Sequence, residues 1–176
     1  MKLLYLIRHA ISLVNDRTVS PDTVDPPLSD AGIVEARKMG QVTGRAWRHK
    51  SIVMLVSPLV RAQDTASIIA SYHSDVTITT IDSLAEIYDI DDERITNVTN
   101  IIRDSLSDDY LTVVVGHSKL LSAILSYYLS DGHIMSIDQY RLYNCSFSKL
   151  EYRPLPDHGR WISYYINNYP SGPHYI

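Results

Sequence analysis

The 176-residue sequence contains one cysteine, Cys145, so no internal disulfide can cross-link it. No second Cys and no suitably spaced His accompanies it, so a structural zinc site is not expected either, and no metal or other cofactor is implied. A reducing, cytosolic compartment suits such cysteine usage. Basic residues are also in the minority. The 16 Lys and Arg face 20 Asp and Glu, a formal net charge of −4, which argues against nucleic acid or an anionic membrane as the main partner. Long apolar runs are missing. The stretch 3–7 is cut off by Arg8 and His9, too soon for a signal-peptide core or a membrane span, and reads as a buried strand. Phenylalanine occurs once against 13 tyrosines, a bias that suits amphipathic contacts at an interface but fixes no oligomeric state.

What is present is enough apolar residue, 45% of the chain, for one compact domain over residues 1–176. Short apolar runs at 3–7, 52–56 and 111–115 read as central strands, with 76–80 a weaker one. Helical patterns lie between them. The segment 29–45 opens at Ser29, a plausible N-cap, and places Val34, Met39 and Val42 for burial along one stripe. Segments 61–72 and 119–129 behave likewise, and 91–106 begins with acids that suit a helix dipole. Residues 146–152 and 161–166 flank Pro154, Pro156, Asp157 and Gly159 as two strands around a turn would. The proline-rich segment 18–27 reads as an exposed loop. Such alternation predicts an α/β fold: three layers, α/β/α, around a mostly parallel sheet.

Three of these strands end in residues that handle phosphate. The first leads into Arg8-His9, the second into Ser57 and then Arg61, the third into Gly116-His117. Ligands of an open parallel sheet bind outside the carboxyl ends of its strands, so these residues can converge although they are distant in sequence. The pair Arg48-His49 has the same composition but lies within or just after a helix, where solvent is its expected partner. Taken singly, His9 and His117 would each more often be structural histidines, and Arg61 a surface ion-pair residue.

Together the residues match a pattern. Arg8-His9-Ala10, with Ser12 and Asn15 downstream, resembles the Arg-His-Gly segment of the histidine phosphatase (phosphoglycerate mutase-like) superfamily. Pro27-Leu28-Ser29 with Gly32 is similar to its next helix start, residues 57–66 to its second arginine segment, and residues 113–121 to its second histidine segment. The tail, 144–152 and 159–168, is similar to the closing strands of its phosphatase branch. The resemblance implies a metal-independent phosphatase. In it His9 takes up the phosphoryl group, Arg8, Arg61 and His117 surround its oxygens, and Ser12, Asn15 and Ser118 assist in binding phosphate. Glu86, in Leu84-Ala85-Glu86, is the matching proton donor for the leaving oxygen, with Asp89 as a substitute.

The sequence departs from that pattern at Ala10, where the family usually has Gly, at Ile11, where many members carry an acid, and at Ser118-Lys119, where small residues are usual. A rival α/β-hydrolase elbow at Gly116-His117-Ser118-Lys119-Leu120 fails because Leu120 replaces the small residue needed for the sharp turn. A second alternative is an inactive scaffold that binds a phosphorylated ligand or protein. Retention of both arginines and both histidines speaks against it, since clustered cations serve nothing without an anion. The short connection from Glu86 to His117 leaves room for one helix. That implies an open site, weak grip on small esters, no mutase activity, and a phosphorylated small molecule or phosphoprotein as substrate.

Overall fold

In the computed structural model, residues 1–86, 91–130, 132–133, 140–154 and 159–168 are described. The chain runs β1 (Leu3–Arg8), α1 (Asp30–Ala46), β2 (Ser51–Val56), α2 (Val60–Ala70), β3 (Val76–Thr80), a 3-10 turn (Asp82–Leu84), α3 (Asp92–Asp104), β4 (Tyr110–Gly116), α4 (Ser118–Leu129), β5 (Phe147–Pro154) and β6 (Gly159–Asn168). Six strands form one sheet in the order β3-β2-β4-β1-β5-β6. The first four are mutually parallel; β5 and β6 add an antiparallel edge. The three-layer, mostly parallel α/β architecture expected from the sequence is the one observed.

Strand period decides which layer each residue feeds. Tyr5 and Ile7 of β1 join Met54, Val56, Val113 and Val115 beneath α1 and α2, whereas Leu4 and Leu6 join Leu55 and Val114 beneath α3 and α4. Both faces of β1 and β4 are buried, which is why these strands read as unbroken apolar runs rather than alternating ones. The Ser29 hydroxyl caps α1 by accepting the Gly32 N–H at 3.2 Å, and Asp91 caps α3 by accepting the Arg94 N–H at 2.7 Å; such caps contribute about 1 kcal/mol each.

The buried stripe of α1 differs from expectation. Met39 is buried, but Val34 is 48% exposed and Val42 only partly covered. The inner face is instead Gly32, Ala36, Gly40 and Thr43, a small-residue face at helical spacing. Close approach is the cause: a methyl built on Gly40 would stand 2.3 Å from the Tyr72 ring. Arg48 and His49 lie exposed in the turn after α1, as expected. The proposed turn at Pro156 and Asp157 lies outside the described residues, as does Asp89. Among the described residues no helix is long and apolar enough to cross a membrane.

Candidate active site

β1 and β4 pair in register up to Arg8 opposite Gly116, so the next residues, His9 and His117, emerge side by side at the same edge of the sheet. The His9 N–H donates to the Gly116 carbonyl at 2.9 Å, and the ring centroids of the two histidines lie 5.1 Å apart. Ser57 follows β2 at the same level, its N–H donating to Val115 O at 3.0 Å. From the first turn of α2, Arg61 reaches back over this edge and is 5% exposed. Four residues from three strand ends and one helix thus converge, as their sequence positions implied.

The hydrogen bonds fix the chemistry of His9. Its Nδ1 lies 2.8 Å from the Ala10 carbonyl oxygen, which can only accept, so Nδ1 carries the proton and Nε2 keeps its lone pair. Burial, then the adjacent His117, hold the imidazole well below its ordinary pKa of 6.5, although the bond to Ala10 opposes this. His117 is pushed down to about 3 by burial, then by Arg61 and Arg8. Two neutral rings therefore stand beside two arginines: His9 lines the cleft, whereas His117 is fully buried behind it and is not part of the lining. The His117 Nε2 meets Ser57 Oγ at 2.8 Å, while its Nδ1 is buried without a hydrogen-bond partner among the described residues.

Arg8 donates through Nη1 to Leu142 O at 3.0 Å, and its buried Nε has no partner among the described residues. An unmet buried donor of this kind costs about 1–3 kcal/mol, and Trp47 Nε1 and Ser83 Oγ, away from the cleft, are likewise without partners among the described residues. Arg61 donates through Nη2 to Glu86 Oε2 and through Nη1 to Asp25 Oδ1 at 3.4 Å. Glu86 Oε2 also stands 4.0 Å from His117 Nδ1, too far for a hydrogen bond, and its side chain is 40% exposed. Glu86, expected from the sequence as the proton donor, thus stands at the cleft, paired with Arg61.

Ser12 and Asn15 lock each other. The Asn15 Oδ1 accepts from the Ser12 N–H at 3.2 Å and from the Ser12 hydroxyl at 3.0 Å, and both residues line the cleft. Ser118 is not brought to it. Its hydroxyl donates to Leu142 O at 3.0 Å, and Lys119 is exposed outside the cleft. The methyl group of Ala10 is fully buried in the core beneath α1 and α2, so it does not crowd the space above His9. The cleft itself has a volume of about 390 Å³, floored by Arg8, His9 and Arg61.

Several residues support the site in ways the sequence reading did not assign to them. Asp25 accepts the Val60 N–H at 2.9 Å, capping α2 across 35 residues where the N-cap Leu59 offers no side-chain acceptor. It thereby fastens segment 21–26 as a wall of the cleft while holding Arg61. Thr65 Oγ1 accepts the Ala10 N–H at 3.0 Å, and Asn144 donates to His9 O at 3.1 Å and Asn15 Oδ1 at 3.0 Å. Gly32 lets α1 approach the backbone after His9, since a methyl there would lie 2.0 Å from Ile11 O. The only sequence signals for these roles were Asp25 beside Pro26-Pro27 and Gly32 three residues past a cap.

The family model for the histidine phosphatase superfamily (branch 1) matches residues 4–92, just over half of the chain, with His9 and Arg61 inside the match. The chain belongs to the histidine phosphatase superfamily. No curated protein matches the sequence. Solved structures of similar fold include an α-ribazole phosphatase from Shigella flexneri, with a TM-score of 0.73 and 16% identity, over 94% of this chain and 96% of that one. A mycobacterial glucosyl-3-phosphoglycerate phosphatase in complex with VO3 superimposes with a TM-score of 0.73 at 17% identity, over 95% and 99% of the two chains. The H9A mutant of a phosphoserine phosphatase from Entamoeba histolytica, in complex with phosphoserine, gives 0.71 at 18% identity, over 95% and 97%. These likenesses establish the phosphoglycerate mutase-like fold of a histidine phosphatase.

Proposed function

We propose that this histidine phosphatase hydrolyses phosphate monoesters or phosphoramidates through a phosphohistidine intermediate on His9, without a metal ion. The observation that carries this reading is the fixed tautomer of His9: a buried neutral imidazole whose Nδ1–H is held by Ala10 O, leaving Nε2 with its lone pair. The Nε2 atom attacks phosphorus in line, forming the N–P bond as the P–O or P–N bond to the leaving group breaks. Water then attacks phosphorus, giving up a proton to the Glu86 carboxylate left by the first step, the N–P bond breaks, and the lone pair returns to Nε2.

Arg8, Arg61 and His117 supply donors to the equatorial oxygens where another phosphatase would place a metal ion's charge. In this role His117 carries its proton on Nδ1, the unpartnered atom, and the Ser57 hydroxyl donates to Nε2. Arg8 Nε, also unpartnered, is a second donor for the same anion. Ser12 orients Asn15, whose amide nitrogen is left for a phosphate oxygen; Ser118, committed to Leu142 O, supports the start of α4 instead. Glu86, freed when the phosphate takes over Arg61, enters the first step protonated, gives that proton to the leaving oxygen and recovers one from the attacking water. The three neighbours are named for three different phosphorylated compounds, so the fold by itself selects none of them.

The test is turnover of an aryl phosphate by wild type and His9→Ala, with and without EDTA, together with rapid acid quench of a ³²P-labelled substrate. Label on His9 and activity unaffected by EDTA are expected. Loss of all activity in EDTA, restored by magnesium or zinc, would overturn the metal-independent reading. Arg61→Ala should cost at least about a hundredfold in kcat/KM, the scale of one preorganised transition-state donor. Arg48→Ala, on an exposed turn, should change little.

A further inference from the structure

The walls of the cleft carry charge of one sign. Among the described lining residues the cations are Arg8 and Arg61, both on the floor. The charged residues above them are Asp22, Asp25 and Glu86, and the remaining wall is largely aliphatic, with Pro21, Val24 and Leu59. Arg141 is near enough for its charge to bear on Arg8, but it lies outside the lining. Two arginines therefore face three carboxylates before any substrate arrives.

This wall is built, not a free loop. Asp25 is bonded to the Val60 N–H through both carboxylate oxygens, at 2.9 and 3.1 Å. The Leu13 N–H donates to Pro27 O and the Thr23 N–H to Ser20 O, each at 3.0 Å, which closes the segment at both ends. Val24 stands between the two aspartates and is 92% exposed, an aliphatic contact offered at the mouth.

A phosphate dianion uses up both arginines and the donors beside them. Any second anionic group on the same molecule would then meet the Asp22 and Asp25 carboxylates with no cation of its own, a repulsion moderated by water because Pro21, Asp22 and Val24 are exposed. An uncharged apolar body would instead cover Val24 and Pro21, and a cationic one would face Asp22 and its neighbours.

Resting on the phosphatase reading above, we infer that the substrate carries a single anionic group: its phosphate is joined to an uncharged or cationic, partly apolar alcohol or side chain. Phosphorylated carboxylic acids and bisphosphates are disfavoured, which also removes the intermediates that a mutase would have to retain.

Three substrates with closely similar leaving groups isolate charge from reactivity: benzyl phosphate, 4-carboxybenzyl phosphate and 4-(aminomethyl)benzyl phosphate. The expected order of kcat/KM is aminomethyl at or above benzyl, and carboxybenzyl lower than benzyl by at least about fivefold, the scale of one water-screened like-charge contact. Most of the gap should lie in KM. Asp22→Asn should narrow the gap several-fold, and Val24→Ser should raise KM for benzyl phosphate more than for methyl phosphate. Turnover of all three within threefold of one another overturns the inference and leaves the phosphatase reading standing. Turnover of none of them overturns both.

Discussion

Replacement of Gly32 by alanine should damage catalysis more than its distance from the chemistry implies. Gly32 lies in the first turn of α1, and a methyl group there would stand 2.0 Å from Ile11 O, 2.9 Å from Ile11 C and 3.0 Å from Ile11 N. Contacts below 3.0 Å to backbone are not tolerated, so α1 and the segment after His9 must part by at least about 1 Å. That segment cannot move alone. The Ile11 carbonyl accepts from the Ser29 N–H at 3.0 Å and from the Ser29 hydroxyl at 3.3 Å, and the neighbouring Ala10 carbonyl holds His9 Nδ1.

The displacement thus reaches His9 through one peptide unit. A misplacement of 1 Å at reacting atoms costs on the order of a hundredfold, and overpacking of this kind costs about 1–3 kcal/mol of stability. Gly32→Ala should fold, with a lowered Tm, and lose about a hundredfold in kcat/KM on an aryl phosphate. Gly116→Ala is the control. It adjoins His117, yet its methyl would meet only Leu121 side-chain atoms at 3.6 and 3.7 Å and Leu84 O at 3.9 Å, ordinary contacts. Its activity should stay within a few-fold of wild type. Equal losses in the two variants, or wild-type activity in Gly32→Ala, would refute the chain of contacts from α1 to His9.

The lowered pKa values of His9 and His117 make stability depend on pH with a definite sign. Above about pH 6.5 folded and unfolded histidines are both neutral and contribute no slope; below it the unfolded chain takes protons that the native site refuses. Stability should fall by up to ~1.4 kcal/mol per pH unit per histidine until the folded groups protonate, for His117 at about 3. Nitrogen-15 NMR should find both rings neutral at pH 5.5, and a His9 titration at 6.5 would contradict the buried-neutral assignment. Asp25→Ala should lower stability by about 1 kcal/mol through loss of the α2 cap and lower kcat/KM about tenfold through a looser Arg61. Asp25→Asn, which keeps an acceptor for Val60, should restore the Tm more fully than the activity. Ala10→Gly removes a buried methyl, so urea unfolding should show a loss of about 1 kcal/mol, with inhibition by orthovanadate within twofold of wild type.

The parts of this site legible in the sequence are those governed by local rules. A strand buried on both faces is a continuous apolar run, and the residue directly after it must stand at the sheet edge, so His9, Ser57 and His117 could be placed from their neighbours alone. Ser29 was readable as a cap, and 91–106 as a helix with an acidic start, because these residues and the helices they serve are adjacent. Asp25 obeys a rule of the same kind, but its helix begins 35 residues later, and nothing local distinguishes it from Asp22. Asn144, which donates to His9 O across 135 residues, is further still beyond the reach of pattern. The misplaced stripe of α1 has another cause. Hydrophobicity marks Val34, but proximity to Tyr72 and to Ile11 selects glycine and alanine on the inner face, so packing distance overrides apolar character.

Electrostatics explains how the floor stays folded with no anion bound. Four basic side chains converge there, but two are imidazoles kept neutral by burial, which removes two of the four charges, and with them all but the Arg8–Arg61 repulsion, that full protonation would bring. Arg61 is offset by Asp25 and Glu86, and Arg8 by the Leu142 carbonyl. What remains uncompensated is specific: Arg8 Nε and His117 Nδ1, two buried atoms without partners among the described residues, at a cost of about 1–3 kcal/mol each against a typical total stability of about 5–15 kcal/mol. A phosphate oxygen satisfies such donors directly, whereas His9 needs nothing further to be reactive. The same neutrality that makes the unliganded floor tolerable therefore leaves His9 Nε2 the lone pair that the proposed mechanism requires, and the residual cost falls on the atoms that an incoming phosphate would satisfy.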